Sequence, residues 1–127
     1  GCHIFAIKDM AGLLKPYAAK ELFTALKSEL KIPVHLHTHD STGNGVSTNF
    51  MAAEAGVDIA DAAIEAMSSL TSQPSMNSIV EALKGTERDT LLDSTELARL
   101  SKYYADVRKM YTTALKSNLK TPNTEIL

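Results

Sequence analysis

Short apolar runs alternate with helix-length amphipathic segments along this chain, and only a few residues separate one from the next. Residues 3–7, 34–40 and 57–63 read as strands, with Pro33 ahead of the second. Between them, Pro16 opens a helix that runs to about Lys31, with Leu22, Phe23, Leu26 and Leu30 on one face and Lys20, Glu21, Lys27 and Lys31 largely elsewhere. A second helix spans 47–55, with Phe50 and Met51 inward and Gly56 as its terminator; a third opens at Pro74, carries Ile79, Val80 and Leu83, and closes at Gly85. Asp93 with Glu96 three residues on is a capping-box variant. It starts a helix bearing Leu97, Leu100, Tyr104, Val107 and Tyr111, and a linker marked by Pro122 follows Asn118. Strands that alternate with helices across short loops pair in parallel, because each return crosses over through a helix. The order predicts an α/β fold whose chemistry gathers at the carboxyl ends of its strands.

Two histidines stand at such an end. In Val34-His35-Leu36-His37-Thr38-His39-Asp40, ahead of Ser41-Thr42-Gly43-Asn44-Gly45, alternation puts His37 and His39 on one face with His35 two residues deeper. Such a pair can grip one divalent cation from adjacent directions. The competing reading is a set of hydrogen-bonded histidines in a polar core; it suits His35 alone, whereas His-x-His before a Gly-rich turn favours metal. Lys8 closes the first strand at the same level, and Ser72 lies in a polar loop at the exit of the third. Lys8 has three readings: an ion pair with Asp9, Asp40 or another acid, a Schiff-base amine, or a carbamate formed with CO2 whose oxygens ligate metal. The residue taken alone favours the ion pair; the nearby histidines shift weight to a metal role, because an unmodified ammonium beside a divalent cation is repelled. Thr38, Asp40 and Ser41 are candidates for the hydrogen bonds that orient the rings.

Bulk properties exclude several classes. The 127 residues make one domain at most, and 44% apolar against 22% charged residues is globular composition. A formal charge of -2 gives no footprint for nucleic acid or an acidic membrane. With no apolar run of about 20 residues and no signal peptide, the expectation is a soluble, cytoplasmic protein. The single cysteine, Cys2, excludes an internal disulfide and is expected to be a small buried residue. The chain enters a strand-like run straight after Gly1 and stops at Thr124-Glu125-Ile126-Leu127, which looks like the start of another element; a piece of a larger polypeptide is expected.

The motifs, in order, resemble the carboxyltransferase domain of the biotin-dependent pyruvate carboxylases. The resemblance runs through Ile7-Lys8-Asp9-Met10-Ala11-Gly12-Leu13-Leu14-Lys15-Pro16, Pro33-Val34-His35-Leu36-His37-Thr38-His39-Asp40 and Glu54-Ala55-Gly56-Val57-Asp58. It continues in Thr71-Ser72-Gln73-Pro74-Ser75, Ile79-Val80-Glu81-Ala82-Leu83, Gly85-Thr86-Glu87-Arg88-Asp89-Thr90 and Pro122-Asn123-Thr124-Glu125. It implies part of a (β/α)8 TIM-type barrel: strands six to eight with their helices over 1–92, and the start of an appended helical region over 93–127. It implies that Lys8, carbamylated and catalytic, and His37 and His39 ligate a divalent metal, zinc or manganese. The implied reaction moves a carboxyl group from carboxybiotin to metal-anchored pyruvate, which loses a methyl proton on the way to oxaloacetate. The implied partners are pyruvate, carboxybiotin, the rest of the barrel, a biotin carrier segment and further copies in a homo-oligomer. A ligand aspartate, the arginine and glutamine that hold pyruvate, and a proton-shuttling threonine are expected outside these residues. The alternatives are an oxaloacetate decarboxylase alpha chain or transcarboxylase subunit, which share the lysine and the His-x-His, and a non-catalytic fragment that self-associates. A Claisen-type metalloenzyme is a more distant rival, and Lys8-Asp9-Met10-Ala11-Gly12 argues against it.

Overall fold

The computed structural model describes residues 1–111. Three strands, β1 (Phe5–Asp9), β2 (Val34–Thr38) and β3 (Ile59–Ala60), form one parallel sheet in the order β1-β2-β3. Helices α1 (Pro16–Glu29) and α2 (Gly45–Glu54) are the crossovers, and a 3-10 turn (Glu65–Met67), α3 (Met76–Leu83) and α4 (Ser94–Tyr111) follow. β1 pairs with β2 from Phe5 opposite Val34 to Asp9 opposite Thr38, which sets Lys8 beside His37.

The alternation of β2 divides the sheet into two faces. Val34, Leu36 and Thr38 are buried, while His35, His37 and His39 are only half-buried on the other side. The core lies on the first face, where Ala19 and Phe23 of α1, one helical turn apart, meet Val34, Leu36, Ala52 and Ile79. Pro16 sits at the start of α1 as expected.

Several expected boundaries move, each for a tertiary reason. Helix α2 begins at Gly45, two residues before the expected start, because the Gly45 amide donates to Asp40 Oδ1 at 2.8 Å. Its buried face is Thr48, Asn49, Ala52 and Ala53; Phe50 and Met51 are only half-buried, since small side chains let α2 approach its neighbours. Pro74 does not open α3 but packs, fully buried, near Gly45. Ser75 is the cap instead, its Oγ accepting from the Ser78 amide at 3.2 Å. β3 is shorter than 57–63: Asp58 and Asp61 donate to Val34 and Leu36 carbonyls at 3.0 Å each, and Ala63 then leaves to pair with Ser75.

Asp93 caps α4 through bonds from the Thr95 and Glu96 amides, while Glu96 turns to Arg99 and leaves half of the expected box unmade. Of the expected apolar face of α4 only Leu97 is buried; the helix docks through Ser101, whose hydroxyl accepts from the Ala66 amide, and Arg108, which donates to the Ala66 carbonyl. Cys2 is exposed rather than buried, because it precedes an outer strand that nothing covers among the described residues. The linker expected after Asn118 lies outside the described residues. Among them, no helix is long and apolar enough to cross a membrane.

Candidate functional site

The exits of the three strands meet around the histidines of β2. On the buried face, Asp9 accepts the amides of Leu13 and Leu14 at 3.0 and 2.9 Å and the Thr38 hydroxyl at 3.2 Å. These bonds fold the loop after β1 back over β2, where Thr42 Oγ1 donates to the Gly12 carbonyl at 2.8 Å. Gly12 has a φ of +65°, and a Cβ there would stand 2.4 Å from the His39 carbonyl oxygen, so the loop touches the histidine strand through bare backbone.

The third exit supplies a brace. The Asp40 amide donates to the Ser72 carbonyl at 2.9 Å, and Ser41 Oγ donates to the Leu70 carbonyl at 3.2 Å. Ser69 and Leu70 reach this position with φ of 71° and 56°, left-handed values that non-glycine residues adopt only under constraint. The loop so shaped delivers the Thr71 carbonyl to His39, whose Nδ1–H donates to it at 2.6 Å.

His37 is anchored differently. Its Nδ1–H donates to Asp61 Oδ2 at 2.6 Å, and His35 Nε2 lies 2.9 Å from Asp61 Oδ1, off the line of a good hydrogen bond. Burial pushes the Asp61 carboxyl up, but the bond from His37 and the close approach of His35 carry it below its ordinary value. Carboxylate and carbonyl oxygens only accept, so both anchors fix the proton on Nδ1 and leave Nε2 with its lone pair. The His37 and His39 rings stand edge to face, 5.4 Å apart between centroids.

Lys8 projects on the same sheet face as its register partner His37. It is exposed and makes no salt bridge among the described residues, and Asp9, a suspected partner, is committed to backbone amides. Thr38, Asp40 and Ser41 do not orient the rings, as was expected of them: they bond Asp9 and the His39 carbonyl, the Gly45 amide, and the Leu70 carbonyl. Asp61 and the Thr71 carbonyl do that instead. The signal for Asp61 was a carboxylate on the next strand at the level of His37, readable only with the register in hand. Ser72 contributes its carbonyl to the loop and not its side chain to the rings.

The donors fit a divalent cation: two imidazoles with Nε2 free, each held in the preferred tautomer by an outer partner, beside a lysine. Among the described residues, no three His, Cys, Asp or Glu side chains converge as a complete ligand set. A cleft of about 390 Å³ follows the free side of β3, lined by Val57, Asp58, Ile59, Asp61, Ile79 and Arg88 among others.

Residues 1–103 match the model of the HMGL-like family. Pyruvate carboxylase of Staphylococcus aureus is 54% identical over 126 residues, and that of Bacillus subtilis is 51% identical over 126 residues. Each alignment takes in 99% of this chain, which spans 11% of the length of either relative. The solved carboxyl transferase domain of Rhizobium etli pyruvate carboxylase with pyruvate is similar at a TM-score of 0.95 and 53% identity, covering 99% of this chain and 21% of that one. The same domain with pyruvate and biocytin is equally similar, again at a TM-score of 0.95.

Proposed function

The chain belongs to the HMGL-like family, and from that premise we propose that it is part of a pyruvate carboxylase, a cytoplasmic biotin-dependent enzyme that makes oxaloacetate from pyruvate. Residues 1–92 supply strands six to eight of the carboxyltransferase barrel, and 93–127 begin the appended helical region. Lys8, His37 and His39 hold a divalent metal, zinc or manganese. The observation that carries this reading is the shared state of the two histidines: each has Nδ1 tied to an oxygen and Nε2 free, beside Lys8 in register with His37.

When bound, the metal serves as a Lewis acid that polarises the oxygens of pyruvate. The residues of this chain fix where that happens. His37 on β2 and His39 just past its end present their Nε2 atoms from neighbouring positions. The Lys8 ammonium gives one proton to solvent to become an amine, and adding that amine to CO2 releases a second proton, which together exchange a repelled cation for an anionic oxygen donor. The loops that clasp the strand exits keep the three groups at one level. The remaining barrel strands, the biotin carrier segment and further copies of the polypeptide complete the enzyme, with pyruvate and carboxybiotin as its reactants.

The test uses the intact polypeptide that carries this segment. It is expected to purify with near-stoichiometric zinc or manganese, and the His37→Ala/His39→Ala variant to lose both the metal and oxaloacetate formation, the latter by about 100-fold or more. Equal metal content in the two proteins would overturn the assignment. A stable adduct on Lys8 after borohydride treatment with pyruvate would replace the carbamate with a Schiff base.

A further inference from the structure

Asp61 touches both histidines of β2, His35 and His37, and no sequence motif pointed to it. One carboxylate oxygen accepts the His37 Nδ1–H at 2.6 Å, and the other lies 2.9 Å from His35 Nε2. Its backbone is fixed as well, since the Asp61 amide donates to the Leu36 carbonyl at 3.0 Å, within the strand that bears both rings. The carboxylate is therefore held by one hydrogen bond and one close approach, and faces His37 from the residue that follows β3. Both of its oxygens lie against imidazole nitrogens.

We propose that Asp61 is a positioning residue for the cation site: it locks the His37 ring in the tautomer and plane that present Nε2, and His35 keeps the carboxylate from turning away. The inference rests on the metal-binding reading above. Two observations favour it over a merely structural polar cluster. First, the side chains of Asp61, His37 and His35 retain 39%, 28% and 24% exposure, and ion pairs at such sites add little stability. Second, His39 reaches the same state through an unrelated partner, the Thr71 carbonyl. Two neighbouring rings with the same nitrogen engaged and the same nitrogen free, by different means, mark the free nitrogen as the purpose of both.

Asp61→Asn is the informative substitution. An amide has one acceptor oxygen and one donor nitrogen, so it holds the His37 Nδ1–H in place only when its oxygen, and not its nitrogen, faces that ring. If its nitrogen faces His37, the imidazole proton moves to Nε2 and blocks the position that binds the cation. The measurement is chelator competition for zinc on the intact polypeptide, with the visible spectrum of the cobalt-loaded form and the melting temperature of the metal-stripped form alongside. Asp61→Asn and Asp61→Ala are expected to weaken zinc retention about 10- to 100-fold, to shift the cobalt bands, and to leave metal-stripped melting close to that of the parent. Parent-like zinc retention and cobalt bands in both variants would overturn the inference while leaving the metal site intact. A fall in metal-stripped melting that matches the loss of zinc would also overturn it, in favour of fold support. Zinc retention that is equal in the parent and in His37→Ala/His39→Ala would remove the metal reading, and this inference with it.

Discussion

Asp58 and Asp61 flank β3, and both are held below the ordinary carboxylate value, yet only one of them faces the histidines. Asp58 Oδ2 accepts from Lys27 Nζ at 2.6 Å and from the Val34 amide at 2.8 Å, with Lys27 the larger cause of the lowering and the amide next. Since its folded-state pKa lies below the unfolded one, the native state binds fewer protons, and the stability this confers is present above the ordinary carboxylate value. It is lost as pH falls through the depressed one. Asp58→Asn keeps an oxygen for the Val34 amide and removes the charge. The variant is expected to unfold at lower denaturant than the parent at pH 7, with the gap closing as pH drops below the carboxylate range. Because Asp58 is partly exposed, added salt should narrow the same gap. Denaturant midpoints measured from pH 7 down to the acid limit check this, and a gap that persisted at the lowest pH would locate the effect in packing instead of charge.

At the scale of elements, the site is held by loops that meet backbone to backbone. Gly12 is the tightest of these contacts, with positive φ and no room for a Cβ against the His39 carbonyl. Gly12→Ala is expected to cost about 1–3 kcal/mol from backbone strain alone and, on the proposed metal-binding reading, to lower metal content by displacing the His39 backbone; thermal melting and metal analysis of the same sample check both. The fold was largely legible wherever periodicity is local. Helix α1, the alternation of β2 and the shared face of His37 and His39 follow from spacing and from Pro16 and Pro33. What escaped depends on distant partners. The start of α2 depends on Asp40, the brevity of β3 on Ala63 leaving to pair with Ser75, and the anchoring of the rings on residues 24 and 32 positions away. The path of the brace also escaped, because nothing in Ser69-Leu70 announces two left-handed residues in a row.

In the molecule as a whole, β2 alone has a strand on both sides; the outer edges of β1 and β3 are unpaired among the described residues. Ile4, Phe5 and Ile59 there are 45%, 37% and 38% exposed. Open parallel edges bearing apolar side chains are templates for further pairing. Residues 1–127 prepared alone are therefore expected to associate with rising concentration in sedimentation velocity, and Phe5→Lys is expected to reduce that association. A single monomeric species at every concentration would show that the edges are self-sufficient. In a closed barrel the same edges would take neighbouring strands, which would complete the surroundings of the histidines.

His37 is oriented by a side chain and His39 by a main-chain carbonyl, and inheritance treats the two unequally. A codon change at 61 can delete a carboxylate. No codon change at 71 can delete a carbonyl, because every amino acid carries one. Any residue at position 71 carries the carbonyl for as long as the turn keeps its path, whereas a change at position 61 can take the carboxylate away. Half of what aims this pair is thus written in the shape of a turn, where a letter-by-letter comparison of genes has nothing to read.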